Sequence, residues 1–286
     1  MQLSCFAMER SESSMDLNHF RVNKLTQHIY RIVDALDVCC YLVVGQERAC
    51  LLDTCTGVGD LKACVESITK LPLTVIVSHG HMDHCGGAGW FDRAYMCHSE
   101  LPILKIHRDV SYRCRFFNDH LSLNLLESDF LPVPEAMFLD IPEGMELELG
   151  GVTVKLLLSA GHTPGMICPL IVEDRVLIIG DACDDNVLLF DPFSSSVRVY
   201  MQNLQKLQAL DGCYDQVLGN HGVFTFPKEL IDNVLECCRM ILNREDLHIP
   251  TQTLGARMYS CCATGPDGLR LDGKPGNVLY SDEKVC

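Results

Sequence analysis

Long apolar segments are absent from the 286-residue sequence, which has no run of about 18 apolar residues, so no membrane-spanning helix is expected. Its first residues, MQLSCFAMERSESSMD, contain neither a basic start nor an apolar stretch of secretory length. We therefore expect a cytoplasmic protein that has no membrane partner, with residues 1–20 as a flexible N-terminal segment.

Positive charge is scarce. The chain has 23 Lys and Arg residues against 38 Asp and Glu residues, which gives a formal net charge of −15. An acidic surface repels nucleic-acid phosphates, so a nucleic-acid partner or an RNA phosphodiester substrate is not expected. The charge sets no limit on a small-molecule substrate, and it leaves the oligomeric state open, with a homodimer as one alternative.

Pairs of the CxxC type are also absent, which argues against a thiolate zinc ribbon or a thioredoxin-like site. The chain nevertheless has 17 cysteines, including adjacent pairs at 39–40, 237–238 and 261–262. Many lie within apolar runs, as Cys168 does. We interpret them as small buried residues in a reducing compartment rather than as a disulfide framework.

Hydrophobic periodicity predicts short strands and helices in two runs of similar order, which favours a layered αββα domain over a doubly wound sheet. The expected domain covers 21–286. Strands are predicted at 28–33, 38–44, 49–53, 73–77, 145–149, 152–159, 167–172, 176–179 and 215–219, helices at 58–69, 199–210 and 228–242, and a terminal hairpin around Asp272-Gly273 within 254–286.

Residues 98–131 interrupt this order with helical stretches that carry both basic and aromatic side chains. We interpret them as a lid insertion that lies over the site and selects the substrate. Its basic residues are candidates to bind a carboxylate or a phosphate, with solvated charges on a helix as the alternative; they are Lys105, Arg108, Arg113 and Arg115.

A dense group of potential metal ligands, His79, His81, Asp83 and His84, follows the predicted strand at 73–77. In an extended segment residues two apart point the same way, so His79 and His81 can bind one ion together. Asp83 and His84 lie beyond the bend and can reach a second ion. Imidazole nitrogen and carboxylate oxygen are the ligands that zinc takes at catalytic sites.

Three further candidates, His162, Asp181 and His221, each follow a predicted apolar strand. A single His or Asp after a strand is more often a turn or capping residue. Together with the first group they supply about the number of ligands that two metal ions need.

The sequence resembles the metallo-β-lactamase-fold hydrolases, and within them the branch that looks like glyoxalase II and neighbouring thioesterases and lactonases. The resemblance runs from about residue 25 to about residue 242. Five short pieces carry it in order: LDT at 52–54, HGHMDH at 79–84, GHTPG at 161–165, GD at 180–181 and GNH at 219–221.

The resemblance implies a four-layered αββα sandwich and two Zn²⁺ ions, with iron or manganese as alternatives. It assigns His79, His81 and His162 to one ion, Asp83, His84 and His221 to the other, Asp181 to both, and a buried supporting role to Asp53. The implied reaction is cleavage of a thioester, lactone or similar ester by a metal-bound hydroxide, with Asp83 as the catalytic residue that shuttles the proton.

Two positions discriminate between branches of this family. His81 stands where similar diiron flavoproteins have Glu, which favours zinc and hydrolysis over redox chemistry. Asp181 stands where the commonest broad-spectrum zinc β-lactamases have Cys, which disfavours antibiotic hydrolysis. Cys55 departs from the family's usual Gly, and Cys183 lies close enough in sequence to Asp181 to approach the metals. A weakly active sensor protein and a β-lactamase-like amide hydrolase remain the alternatives.

Overall fold

The computed structural model describes residues 16–286, so the first fifteen positions of the expected flexible segment 1–20 lie outside the described residues. The described chain divides into two compact units, with the boundary between Lys155 and Leu156. Each unit contains a large sheet together with helices, which confirms the expected mixed α/β fold class.

The first unit is built on a seven-stranded sheet whose strands lie side by side in chain order. These are β1 (Arg21–Lys24), β2 (Ile29–Val33), β3 (Cys39–Val44), β4 (Ala49–Leu52), β5 (Leu73–Ile76), β6 (Ala94–Tyr95) and β7 (Phe138–Leu139). Pairing is antiparallel from β1 to β4 and parallel from β4 to β7. Parallel neighbours need crossover connections, and these carry α1 (Leu61–Ile68), α2 (Met82–Cys85), α3 (Leu101–His107) and α4 (Val110–Leu121).

Packing of α1 on this sheet illustrates why the helix forms. Asp60 begins the helix by accepting a hydrogen bond from the Ala63 N–H at 2.8 Å. Leu61 and Val65 lie four residues apart on one face, and both are buried in the core of the unit. The parallel register of β4 and β5 brings the residues after both strands to the same edge of the sheet, where the HGHMDH segment begins.

From residue 146 onwards the described chain contains ten strands and two longer helices. The strands are β8 (Glu146–Glu148), β9 (Thr153–Leu158), β10 (Ile167–Ile171), β11 (Val176–Ile178), β12 (Val187–Leu189), β13 (Gln216–Leu218), β14 (Thr225–Phe226), β15 (Ile249–Thr253), β16 (Ala256–Ser260) and β17 (Val278–Tyr280). The helices are α5 (Val197–Gln208) and α6 (Glu229–Asn243).

The other large sheet has six strands in the order β14-β13-β11-β10-β9-β8. β11 and β13 are parallel, with Ile178 opposite Leu218, so the residues that follow these two strands emerge at the same edge. The core of the unit contains apolar side chains from these strands and from both helices, for example Leu204 of α5 and Val234 of α6. The unit therefore places residues 179–181 and 219–221 side by side.

A smaller sheet, with the order β12-β17-β16-β15, corrects the expected terminal hairpin. The tight turn lies at Leu254-Gly255, where both residues have positive φ (50° and 77°), and it joins β15 to β16. Asp272-Gly273 instead forms a turn in the loop before β17. Two adjacent positive-φ residues suit the twist of a two-residue hairpin, but Leu is an unusual residue in that conformation and gave no turn signal.

Short 3-10 helices complete the described chain at Ala88–Trp90, His98–Glu100, Glu127–Asp129, Glu135–Met137, Gly180–Ala182, Asp211–Cys213 and Asp282–Lys284. Within residues 16–286 the longest helix is α6 with 15 residues. None of the helices there has the length and apolar character needed to cross a bilayer.

Candidate metal centre

The loop after β5 brings the first two predicted ligands together. His79 Nε2 and His81 Nδ1 lie 3.0 Å apart, and both side chains are buried. His81 has extended backbone dihedrals, φ −72° and ψ 149°, so the two side chains point the same way, as their spacing predicts. Two ring nitrogens that converge in a buried position form a nitrogen-donor pair for a cation.

Asp53, at the end of β4, supports this loop through both of its carboxylate oxygens. Oδ1 accepts the Ser78 N–H at 2.7 Å, and Oδ2 accepts the Ser78 hydroxyl at 3.0 Å. Oδ2 also accepts Nδ1–H of His84 at 2.9 Å, while His79 Nδ1 donates to the Ser78 hydroxyl oxygen at 3.0 Å. The carboxylate therefore holds His84 directly and His79 through Ser78, each in the tautomer that leaves Nε2 free of a proton.

α2 carries the next two predicted ligands. Asp83 and His84 are both fully buried, and His84 Nε2 lies 3.7 Å from Asp83 Oδ2. The Thr54 backbone N–H and hydroxyl both donate to the His84 carbonyl, at 2.8 Å and 2.7 Å, and so fix the helix against the end of β4.

Sequence reasoning missed Glu100, which holds the loop from the other side. The side chain is fully buried, and its Oε2 accepts the Gly80 N–H at 2.9 Å. A Cβ at Gly80 would lie 2.9 Å from the Glu100 carbonyl oxygen and from the Leu104 nitrogen, so glycine is required by this close approach. Gly80, between two histidines, was the available sequence signal for a close approach of the backbone, although it does not identify Glu100 as the partner.

In the second unit Asp181 lies between two predicted histidine ligands. Its Oδ1 lies 3.3 Å from His221 Nε2, and its Oδ2 lies 3.7 Å from His162 Nε2. All three side chains are buried. Gly180 has φ +49°, and a Cβ there would lie 2.6 Å from Asn220 Oδ1, which explains the glycine before Asp181.

His162 is oriented by β12, which sequence reasoning did not predict. Its Nδ1 donates to the Leu188 carbonyl at 3.1 Å, so Nε2 is the nitrogen available as a ligand. Its own carbonyl accepts the Ser194 hydroxyl at 3.0 Å. β12 was missed because three apolar residues are too short a segment to show periodicity.

The donor atoms in each unit fit a metal ion. Ligand atoms about 2.0–2.1 Å from a tetrahedral zinc ion are about 3.3 Å apart, near the 3.0 Å between His79 and His81 and the 3.3 Å between His221 and Asp181. The donors are buried imidazole nitrogens and carboxylate oxygens, and outer hydrogen bonds orient His79, His84 and His162. These histidine and aspartate side chains are of the kind that could hold metal ions.

Two cysteines near the predicted ligands have different environments. Cys55 has φ +55°, the left-handed conformation that glycine adopts most easily, so the backbone shape is kept although the residue differs from the family's usual glycine. Cys183 is fully buried, packs in the core with Tyr200, and has a thiol pKa that burial raises well above its ordinary value. The sequence predicts that the cysteines are small buried residues, and the neutral buried thiol of Cys183 agrees with that prediction.

The insertion at 98–131 contains α3 and α4, as its helical stretches predict, but Arg113 is not an anion-binding residue. Its side chain is fully buried and donates to the carbonyls of Leu131 at 2.8 Å, Thr56 at 2.9 Å and Gly86 at 3.1 Å. Burial lowers the pKa of its guanidinium to about 10. The expectation that Arg113 contacts the substrate is therefore wrong, because the side chain holds three backbone segments together.

His107, at the end of α3, is the residue of the insertion that contacts the predicted ligands. Its ring lies 4.7 Å from the His81 ring, centroid to centroid, and 5.5 Å from that of Tyr112. Its Nδ1 accepts the Met82 N–H at 3.4 Å. His107 is half-buried and gave no motif signal, since a single histidine at a helix end is common.

One protein family and several known proteins are similar to this chain. The family described as the metallo-beta-lactamase superfamily matches residues 33–212. An uncharacterised protein of Mycobacterium leprae is 27% identical over 58% of this chain and 76% of its own length. The acyl-coenzyme A thioesterase MBLAC2 of Homo sapiens is 24% identical over 63% of this chain and 71% of its own length. The chain covers 44% and 56% of two other curated relatives that it matches.

A solved metallo-beta-lactamase from Pontibacter korlensis has the same fold. It superposes with a TM-score of 0.56 at 14% identity and covers 77% of this chain and 99% of its own. The chain thus belongs to the metallo-beta-lactamase superfamily, because the family match covers more than half of its residues.

Proposed function

We propose that the protein is a dinuclear metal-dependent hydrolase that cleaves a small thioester, lactone or similar ester. In this proposal two zinc ions are bound, one by His79, His81 and His162 and the other by Asp83, His84 and His221, with Asp181 as a ligand of both.

The observation that carries the proposal is the position of Asp181 within its own unit. One carboxylate oxygen faces His162 and the other faces His221, at 3.7 Å and 3.3 Å. A carboxylate that presents one oxygen to each of two histidines is arranged to serve two ions. A capping or turn aspartate would direct its oxygens to backbone N–H groups instead.

When bound, two divalent ions activate a water for attack and polarise the carbonyl group of the substrate. Asp83 is fully buried beside His84, and we assign its carboxylate to accept the proton of the attacking water and to return it to the leaving group. Asp53, Ser78 and Leu188 keep the ligating histidines in the productive tautomer.

The substrate class and the glyoxalase II-like branch are supported by the named thioesterase relative and by the LDT, GHTPG and GNH pieces. We propose that the insertion at 98–131 acts as a lid, with the His107 ring beside His81 and the Tyr112 ring beside His107. The half-buried rings offer an apolar wall for an acyl group, and Lys105 and Arg115 remain exposed cations for an anionic group.

We also propose a cytoplasmic protein with a small-molecule substrate and without nucleic-acid partners. Supporting observations are the net charge of −15 and the sixteen described cysteines, which are all free thiols. Free thiols in such number are typical of a reducing compartment.

The experiment is a screen of zinc-loaded protein against thioesters, lactones, β-lactams and phosphodiesters. We expect turnover of a thioester or lactone, loss of turnover on chelation, and at least a hundred-fold lower kcat for Asp181→Asn, whose amide replaces one ligating oxygen. Asp211→Asn, an exposed position in the same unit, is the matched control. Folded zinc protein that turns over none of the four classes supports the sensor alternative, and preference for β-lactams supports the amide hydrolase.

A further inference from the structure

A second group of metal-ligand side chains lies in the second unit and includes none of the residues assigned above. Cys237 belongs to α6, and Cys261 and Cys262 follow β16. The three residues are buried, with 0%, 0% and 7% exposure. Sequence reasoning treated them as small apolar residues because none belongs to a CxxC pair.

The three sulfur atoms have the separations of thiolates around one ion. Cys237 Sγ lies 3.7 Å from Cys262 Sγ, and Cys262 Sγ lies 3.9 Å from Cys261 Sγ. All three sulfurs lie within 4.8 Å of one another. Two thiolates that each bind zinc at about 2.3 Å are about 3.8 Å apart in a tetrahedral site and about 4.0 Å apart in a trigonal one.

The backbone is shaped to bring the two adjacent cysteines together. Successive side chains of an extended strand point to opposite faces, so neighbouring thiols normally diverge. Here Cys261 N–H donates to the Val278 carbonyl at 3.0 Å, and Cys262 N–H donates to Asn277 Oδ1 at 3.0 Å. The Ser260 hydroxyl closes the turn by donating to the Cys262 carbonyl at 2.6 Å.

Arg270 supplies positive charge to the group. Its guanidinium is buried, with 8% exposure, and donates to Cys237 Sγ at 3.4 Å and to the Gly276 carbonyl at 3.0 Å. The same guanidinium pairs with Asp272, whose side chain is half exposed. The positive charge of Arg270 beside Cys237 Sγ favours that sulfur as a metal-binding thiolate.

We propose that Cys237, Cys261 and Cys262 bind one thiophilic d¹⁰ metal ion, of which Zn²⁺ is the expected occupant. Soft thiolate donors select Zn²⁺ and Cu⁺ over hard cations. The divalent ion offsets more of the thiolate charge in this buried position than a monovalent ion can. The site ties the end of β16 to α6 and is structural, because the side chains enclose it.

Cadmium is the probe that separates this site from the histidine and aspartate ligands. The full-length protein, kept reduced, is loaded with ¹¹³Cd²⁺ and studied by ¹¹³Cd NMR, in which thiolate-rich and nitrogen/oxygen sites resonate in separate regions. We expect one resonance in the thiolate-rich region. We also expect Cd²⁺ to slow the alkylation of Cys262 in the native protein at least ten-fold, as followed by mass spectrometry.

Cys237→Ser and Cys262→Ser should each remove the thiolate-rich resonance, whereas Cys213→Ser, an exposed position outside the group, should leave it. If the serine variants fail to fold, the spectrum and the alkylation rate of the unaltered chain decide the question. The proposal is overturned if that chain shows no thiolate-rich resonance, if alkylation is not slowed, or if Cys237 and Cys262 are found joined as a disulfide in the freshly purified protein. Activity plays no part in this test, so its failure leaves the hydrolase proposal untouched.

Discussion

At the scale of single residues, Asp53 determines how the ligating histidines are presented. Its carboxylate accepts hydrogen bonds from Ser78 and His84, and it reaches His79 through the Ser78 hydroxyl. The residue has φ +66°, a conformation that aspartate and asparagine tolerate better than most side chains. Replacement by Asn therefore changes the hydrogen-bonding chemistry with little effect on the backbone.

We predict that Asp53→Asn weakens zinc binding ten- to a hundred-fold, because an amide supports the imidazole ligands less well than a carboxylate does. The measurement is a competition titration with a chromophoric chelator. Asp37→Asn is the matched control, since Asp37 also has positive φ, 63°, but is exposed and pairs with Arg21. Equal zinc affinities for the two variants would show that Asp53 does not support the ligands.

At the scale of elements, α4 contains two arginines with opposite environments. Arg113 is fully buried and bonded to three carbonyls, whereas Arg115, two residues on, is exposed. The helix thus presents one arginine to the core and one to solvent. The sequence pattern could not distinguish the two arginines, because it does not show which one is buried against backbone carbonyls and which one is exposed to solvent.

We predict that Arg113→Met lowers the free energy of unfolding by more than about 2 kcal/mol, because three buried carbonyls lose their donor. Arg115→Met should change it by less than about 0.5 kcal/mol. Urea unfolding followed by circular dichroism gives both values. If the two substitutions cost the same, the carbonyl contacts of Arg113 do not stabilise the insertion.

Most longer elements could be predicted because their burial imposes a regular pattern. The strand at Cys39–Val44 and the helix at Glu229–Asn243 each lie within about one residue of the expected ranges 38–44 and 228–242. Two-residue strands such as Ala94–Tyr95 were missed, since they depend on a neighbouring strand rather than on their own sequence. The hairpin at Leu254-Gly255 was misplaced because a leucine adopted a conformation that glycine and asparagine normally mark.

At the scale of the whole molecule, the candidate ligands were predictable because each follows an apolar strand that ends at a sheet edge. His79 after β5, Asp181 after β11 and His221 after β13 all fit this rule. The residues that orient them were less accessible to prediction. Glu100 and Leu188 act across long sequence separations, through contacts that only the folded chain creates.

Zinc should stabilise the folded chain, because the buried donor atoms assemble only on folding. At a free zinc concentration a hundred times the dissociation constant, the expected gain is about 2.7 kcal/mol per ion, or roughly 5–10 °C in melting temperature. Differential scanning calorimetry with zinc, and with Mg²⁺ as the control ion, measures the shift. In a Cys262→Ser background the shift should persist; its complete loss there would place the stabilising ion in the cysteine group instead.

The proposal of a dinuclear centre at Asp181 is tested most directly by anomalous diffraction at the zinc absorption edge, from crystals of the zinc-loaded protein. We predict two peaks beside the Asp181 carboxylate, roughly 3.5–4 Å apart. One should contact His79, His81 and His162, and the other Asp83, His84 and His221. A single peak at Asp181, or none there while the surrounding side chains are well ordered, would contradict the assignment.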